Sequence, residues 1–300
     1  MDFSLWPAAS RSWQEVLEGT EYAERTGWHG VWVADHFMQN GDDLSVPVNE
    51  CLALLAGLAA RTSRVRVGSM VLGNTYRHPA VVANQAATLD QMSNGRFVLG
   101  IGAGWQVNEH EVYGIELPPV RERLARFEEA CQVIKGLLTE ERTSFDGRYY
   151  QLSGAPLEPK PSQLPILIGA AGEKVALGIV AKYADEWNHW GRPELAVQKG
   201  KAFQAHCEKI GRDPATVRRS TQAITEIVVP GDTEAAERKQ RLEERGMHVV
   251  MGSAQEVLDT VAQYPAAGID EFLVPDSFLG SGERRFDALE RLREEVFAKL

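Results

Sequence analysis

Cysteine is scarce in this chain of 300 residues: Cys51, Cys131 and Cys207 are odd in number, far apart, and each set in an apolar helical pattern. That spacing argues against a disulfide framework and a thiolate metal site, and leaves three small buried hydrophobes suited to a reducing compartment. The seven histidines fall in no H-E-x-x-H or Cys/His spacing, so no metal centre is expected. G-x-S-x-G and the phosphate-binding P-loop are missing as well, which leaves hydrolase and nucleoside-triphosphate chemistry unsupported. No cluster of five Lys/Arg occurs and the net charge is −10, so neither nucleic acid nor an anionic membrane is an expected partner. No window approaches the roughly eighteen uncharged apolar residues of a membrane span. The opening MDFSLWPAAS lacks the basic and apolar regions of a secretion signal, and the chain reads as cytoplasmic.

What is present is alternation. With 44% apolar residues the chain can bury a large core, either as one large α/β barrel or as two ordinary domains. Apolar runs at 3–6, 30–34, 65–72, 97–101, 165–169, 185–188, 222–229 and 271–274 read as strands. Helical periodicity separates them, beginning with a capping box at Ser12-Trp13-Gln14-Glu15 and including a strongly periodic helix over 122–138. The pattern lapses over about 139–165, a proline-bearing segment with a hairpin signal at Asp146-Gly147. Eight strands alternating with helices along the whole length predict one (β/α)8 TIM barrel spanning 1–300, with that segment inserted after the fourth helix.

In such a barrel, chemistry sits where the strands end. The residues delivered there are Asp35, His36, Gly73, Asn74, 102–109, 169–172, Asn188 and Asp276. The richest stretch, 93–114, runs from a turn through a buried strand to Gly100, Gly102 and Gly104, then Trp105 and two acids. Its G-x-G-x-G spacing, with no helix opening at the last glycine, is not a dinucleotide fingerprint. The glycines serve either a plain corner or close backbone approach to a flat ligand. His36 either exchanges a proton with substrate or caps its own loop. Glu109 is either an acid-base group or a helix-start carboxylate favoured by the dipole. Gly169-Ala170-Ala171-Gly172, leading to Lys174, offers amides to a phosphate, and Gly252-Ser253 repeats the pattern.

The words LGNTYRHP, SNGRFVLGIGAGW, NEHEVYG, FDGRYYQL, PILIGAAGEK and YADEWN follow one another in family order, within a likeness that runs from about residue 28 to 274. In them the chain resembles the luciferase-like flavin-dependent oxidoreductases, and more closely their branch that uses the deazaflavin coenzyme F420. The resemblance implies a TIM barrel, often a homodimer, whose cofactor ring lies over the strand ends with its phosphate near 169–172. It implies a strand-three bulge with a non-prolyl cis peptide around Met70-Val71, and a cofactor site of Met70, Val71, Asn74, Gly102, Gly104, Gly169, Ala170, Ala171, Gly172 and Asn188. Asp35 and His36 match a pair beside ring and substrate, and Glu109 matches an acid assisting proton transfer. Arg77, Lys174 and Lys182 would meet the cofactor's acidic tail. A tryptophan that sugar- and alcohol-oxidising members carry is replaced here by Asn40. That departure speaks against alcohol or sugar-phosphate oxidation. An FMN-dependent monooxygenase and a non-catalytic flavin-binding protein are the alternatives on the same barrel, since the cofactor decides the reaction.

Overall fold

A strand covered by side chains on one face and by helices on the other has no reason to alternate polar and apolar residues, and the apolar runs of this sequence become such strands. The computed structural model describes residues 1–41, 43–161 and 163–300. Its first half comprises β1 (Asp2–Trp6), α1 (Trp13–Thr26), β2 (Gly30–Val33), α2 (Cys51–Arg61), β3 (Arg66–Ser69), β4 (Leu72–Gly73), α3 (Pro79–Met92), β5 (Phe97–Gly102), α4 (Val107–Tyr113) and α5 (Val120–Thr139). A hairpin, β6 (Thr143–Asp146) and β7 (Gln151–Ala155), leads to β8 (Ile166–Gly169), α6 (Ala176–Tyr183), β9 (Glu186–Trp190) and α7 (Pro193–Ile210). The chain ends with β10 (Arg218–Gln222), β11 (Ile224–Ile227), α8 (Ala235–Glu244), β12 (Val249–Gly252), α9 (Ala254–Val261), β13 (Glu271–Pro275) and α10 (Gly282–Glu295).

Eight parallel strands close in the order β1, β2, β3, β5, β8, β9, β10, β13 and back to β1. This is the (β/α)8 barrel that the alternation predicts. The short β4 prolongs β3 beyond residues 70 and 71 and pairs Leu72 with Ile101 and Gly73 with Gly102. The capping box forms as read: Ser12 and Glu15 bond reciprocally, and Gly27, at φ 83°, ends α1 in the left-handed region. Cys51, Cys131 and Cys207 are free and buried. Between α5 and β8 the antiparallel hairpin turns at Gly147, whose amide donates to Tyr150 O at 2.9 Å. Ser162, within the expected insertion, lies outside the described residues.

One strand departs from the sequence reading. The seventh barrel strand is β10 at Arg218–Gln222, not the apolar run over 222–229. Its polar composition hid it, because Ser220 and Gln222 are buried as partners of Asn188, whose amide donates to Ser220 Oγ at 2.9 Å and Gln222 Oε1 at 2.7 Å. The apolar run supplies β11 instead, which leaves the barrel and pairs in parallel with β12.

The strand starts are sealed by a buried polar group. Glu271, fully buried, accepts from Ser4 Oγ at 2.5 Å and Trp32 Nε1 at 2.8 Å, with Arg66 and Arg218 within ion-pair distance. In a TIM barrel that end serves stability, which leaves the opposite rim for function. Among the described residues no helix is long and apolar enough to cross a membrane, and no cluster of ligating side chains is placed to hold a metal ion.

Candidate active site

The glycines of β5 and β8 have a specific steric duty. The chain bulges between β3 and β4 at Met70 and Val71, joined by a cis peptide at the place the family resemblance implies. A Cβ on Gly100 would lie 1.8 Å from Ser69 O, one on Gly102 2.8 Å from Val71 Cγ2, and one on Gly169 2.9 Å from the same methyl. Side chains at these positions would evict the bulge. The clearance is therefore for Val71 first, and Val71 in turn lines a cavity of about 700 Å3 at the strand ends. Gly104 is different: its φ of 84° favours glycine, and a Cβ would meet Thr75 Oγ1 at 2.7 Å.

His36 stands three residues beyond the end of β2 and lines this cavity. Its Nδ1 lies 2.8 Å from Glu109 Oε1 on α4. Since the carboxylate only accepts, Nδ1 carries a proton toward it, so in the neutral ring the lone pair is on Nε2. Glu109 also accepts from the Phe37 amide at 2.8 Å and from the Tyr76 hydroxyl, and is itself fully buried. Burial alone would raise its pKa, but the bonds from His36, Tyr76 and the Phe37 amide outweigh that and hold it below the ordinary carboxyl value. Tyr76, desolvated and bonded to this carboxylate, is pushed up and stays protonated.

The helix that carries Glu109 is tied down on both sides. Gln106 Nε2 and Asn108 Nδ2 donate to Met38 O and Gln39 O, each at 3.0 Å, while His110 lies 2.8 Å from Thr75 Oγ1 and 2.6 Å from Gln106 O. Trp105 stands edge-on to His36 with centroids 5.6 Å apart. Asp35 has both oxygens engaged: Arg77 binds it at 2.7 and 2.9 Å and the Gly73 amide donates at 2.9 Å. It fixes the end of β4 against that of β2.

Of the residues expected in a cofactor site, Met70, Val71, Gly102, Gly104, the turn 169–172 and Asn188 line this cavity together with Asp35 and His36. Glu109 stands behind His36, and Asn74, which donates to Tyr150 Oη at 3.3 Å, holds the hairpin instead. The turn 169–172 leads into α6, whose N-terminus has no side-chain cap. Gly252-Ser253 does not repeat this, because Ser253 and Glu256 close a capping box and the glutamate already fills the anion's place. Arg77 is paired with Asp35 and Glu50, and Lys182 with Glu128 at 2.6 Å, so neither is a spare cation; Lys174 is exposed beside the turn.

Two residues escaped the sequence reading. Arg123, in the first turn of α5, lines the cavity and forms no ion pair among the described residues. Nothing in its local pattern marks it, since it sits among other charges of an amphipathic helix. Tyr76 lies in the N-T-Y-R-H-P word, but its bond to Glu109 spans 33 positions. Asn40 is exposed and lines neither this cavity nor a second one of about 880 Å3 that opens between the ends of β1, β9 and β13.

The description "luciferase-like monooxygenase" belongs to the family model that matches residues 1–248. The F420-dependent glucose-6-phosphate dehydrogenase of Amycolatopsis mediterranei is 39% identical over 174 residues, 57% of this chain and 50% of that protein. This chain thus spans half the length of that curated relative. An F420-dependent secondary alcohol dehydrogenase, solved with an F420-acetone adduct, superposes with a TM-score of 0.81 at 22% identity over 91% of this chain and 92% of the other. The F420-dependent tetrahydromethanopterin reductase of Methanopyrus kandleri gives 0.81 at 19% identity over 99% of each chain. At those identities the two structures establish the barrel alone. The family model, which extends over the barrel from its first strand to the turn before β12, settles the assignment: this chain belongs to the luciferase-like monooxygenase family.

Proposed function

We propose that this protein is an oxidoreductase that uses the deazaflavin F420 to move hydride to or from a small organic substrate. The observation that carries the reading is the His36–Glu109–Tyr76 arrangement set against a cavity whose wall is the Val71 bulge. Curated relatives sharing this half of their length are named for F420 dependence, which supports the choice of cofactor.

The residues suit such a group. Gly102, Gly169 and Ala170 leave flat wall beside Val71, and Asn188, with its amide N–H groups given to Ser220 and Gln222, keeps its amide oxygen for a ring N–H. The uncapped start of α6 after 169–172, with Arg123 and Lys174, suits a phosphate and an acidic tail. Bound, F420 would supply two-electron hydride chemistry and little reaction with oxygen.

The chain's own residues supply the proton. His36 takes a proton from a substrate oxygen through Nε2 during oxidation, or returns it during reduction. Glu109 acts through His36: it fixes the tautomer and ring orientation, and its charge offsets that of the imidazolium. Asp35 is a positioning residue as well, holding Arg77 and the Gly73 amide. In this reading the chain is one barrel domain with the β6–β7 hairpin as its insertion, works in the cytoplasm and forms a homodimer.

An FMN-dependent monooxygenase is the second reading, favoured by the description of the family itself. Titration of the purified protein with F420 and with FMN, followed by a hydride-transfer assay, separates the two. Tight F420 binding with turnover supports the first; FMN binding without measurable F420 affinity sinks it.

A further inference from the structure

The first cavity shares a wall with the second. Trp6 and Trp190 line both, their ring centroids 5.7 Å apart, so the aromatic pair stands where the two spaces meet. Trp190 is 42% exposed although it lies between two cavities rather than on an outer helix face. An aromatic ring left open to a concave space gains when a flat apolar body covers it, because each such ring can remove a large apolar area from water.

Beyond the tryptophans, the second cavity is walled by carbon: Leu195, Ile224 and Phe278 among its larger side chains. Its charge sits in the turn after α8 and at the start of α7. Arg245 forms no ion pair among the described residues, and Arg192 reaches only Glu243 at 3.8 Å. Two guanidinium groups thus stand against one carboxylate in this wall. His248, also in the wall, adds no charge at neutral pH, since burial lowers its pKa to about 4. The cavity therefore presents a net positive charge beside an aromatic slot, in a chain whose overall charge is −10.

We infer that this second cavity receives the body of the substrate, and that the substrate is a flat, largely apolar molecule bearing one acidic group, a carboxylate or a phosphate monoester. The body lies against Trp6, Trp190 and Phe278, the acidic group meets Arg245 and Arg192, and the reacting end reaches past the tryptophan pair toward His36. The assignment of this body to catalysis rests on the reading of the His36 cavity above. Its content is specific: a sugar phosphate offers an acid but no apolar body, and its hydroxyls would meet only Ser10, Gln39, Ser277 and the neutral His248 as uncharged polar partners beside the tryptophans.

Calorimetric titration of the whole 300-residue chain without cofactor tests the cavity alone, using naphthoate, naphthyl phosphate, uncharged naphthylmethanol and glucose 6-phosphate. The two aromatic acids should bind at least tenfold more tightly than both the alcohol and the sugar phosphate. The double variant R192A/R245A should bring the acids down to the alcohol's affinity and leave the alcohol unchanged, whereas W190A should weaken all three aromatic probes and W190F restore them. Glucose 6-phosphate binding as tightly as naphthoate, or acids unaffected by R192A/R245A, overturns the proposal, as does failure of every aromatic probe to bind. An F420 titration of the same preparation keeps the two readings apart. Loss of F420 binding with retained naphthoate binding refutes the cofactor assignment and not the cavity's ligand class; the reverse refutes the ligand class and not the cofactor.

Discussion

Replacing Glu109 with glutamine keeps the volume of the side chain and removes its charge, which makes it the sharpest probe of the proposed proton path. In the native arrangement one carboxylate accepts from His36 Nδ1, the Phe37 amide and the Tyr76 hydroxyl. An amide has one acceptor oxygen and one donor nitrogen, so it cannot receive all three. If the oxygen stays with Phe37 and Tyr76, the amide N–H points at Nδ1, forces the proton to Nε2, and blocks the lone pair that faces substrate. If the oxygen stays with His36, the half-buried Phe37 amide loses its partner. A hydrogen bond to a charged group contributes about 1.5–3 kcal/mol, and about 1.4 kcal/mol is a tenfold rate change. The expected loss in kcat for E109Q is therefore about ten- to a hundredfold, with KM for F420 unchanged within about twofold, because Glu109 does not line the cavity. Steady-state turnover followed by the absorbance of the oxidised deazaflavin measures both. An E109Q enzyme with native kcat would refute the positioning role, and one with native kcat but raised KM would place Glu109 in cofactor binding instead.

The steric reading of the glycines predicts that G169A, whose new Cβ would lie 2.9 Å from Val71 Cγ2, weakens F420 binding at least tenfold and lowers stability by about 1–3 kcal/mol. V71A in the same chain should recover most of the stability, and a G169A protein with native affinity would show that the bulge does not shape the site. Arg123→Ala should weaken F420 binding about tenfold and flatten its dependence on salt, since an unpaired guanidinium is lost from the cavity wall; equal salt slopes in variant and native protein would contradict this. Acid should destabilise the fold through His189 and His248, whose folded pKa values are lowered from 6.5 to about 4, chiefly by burial. The unfolded chain binds those protons first, so stability falls between pH 6.5 and 4 by up to about 1.4 kcal/mol per pH unit for each histidine. Glu109, whose folded pKa is depressed, contributes stability above the ordinary carboxyl value of 4.5 that is lost as pH falls through its folded value. Urea midpoints at pH 7, 5.5 and 4.5 test this, and a flat profile would contradict it.

The barrel was legible because fully buried parallel strands are short apolar runs and helices repeat at another period. The reading failed at β10, where the signal inverts: Ser220 and Gln222 are buried for the hydrogen bonds they make to Asn188, and a polar strand reads as a loop. The site was legible at His36, because a histidine at a strand end needs no distant partner to be noticed. Glu109 stayed ambiguous, as its burial arises from contacts with His36 and Phe37 more than seventy positions away. Gly102 read as a corner or clearance for a flat ligand and Gly169 as part of a phosphate-binding turn; that both make room for the Val71 side chain emerges only when β4, β5 and β8 are brought together. Arg123 carried no signal, because facing a cavity is a property of where α5 packs.

The cavity beside His36 is the place proposed for F420 in hydride transfer. Equilibrium titration of the purified protein with F420 and FMN, side by side, tests it most directly. Saturable F420 binding is expected, weakened by G169A and R123A, with FMN at least tenfold weaker. Saturable FMN binding with no detectable F420 binding would contradict it.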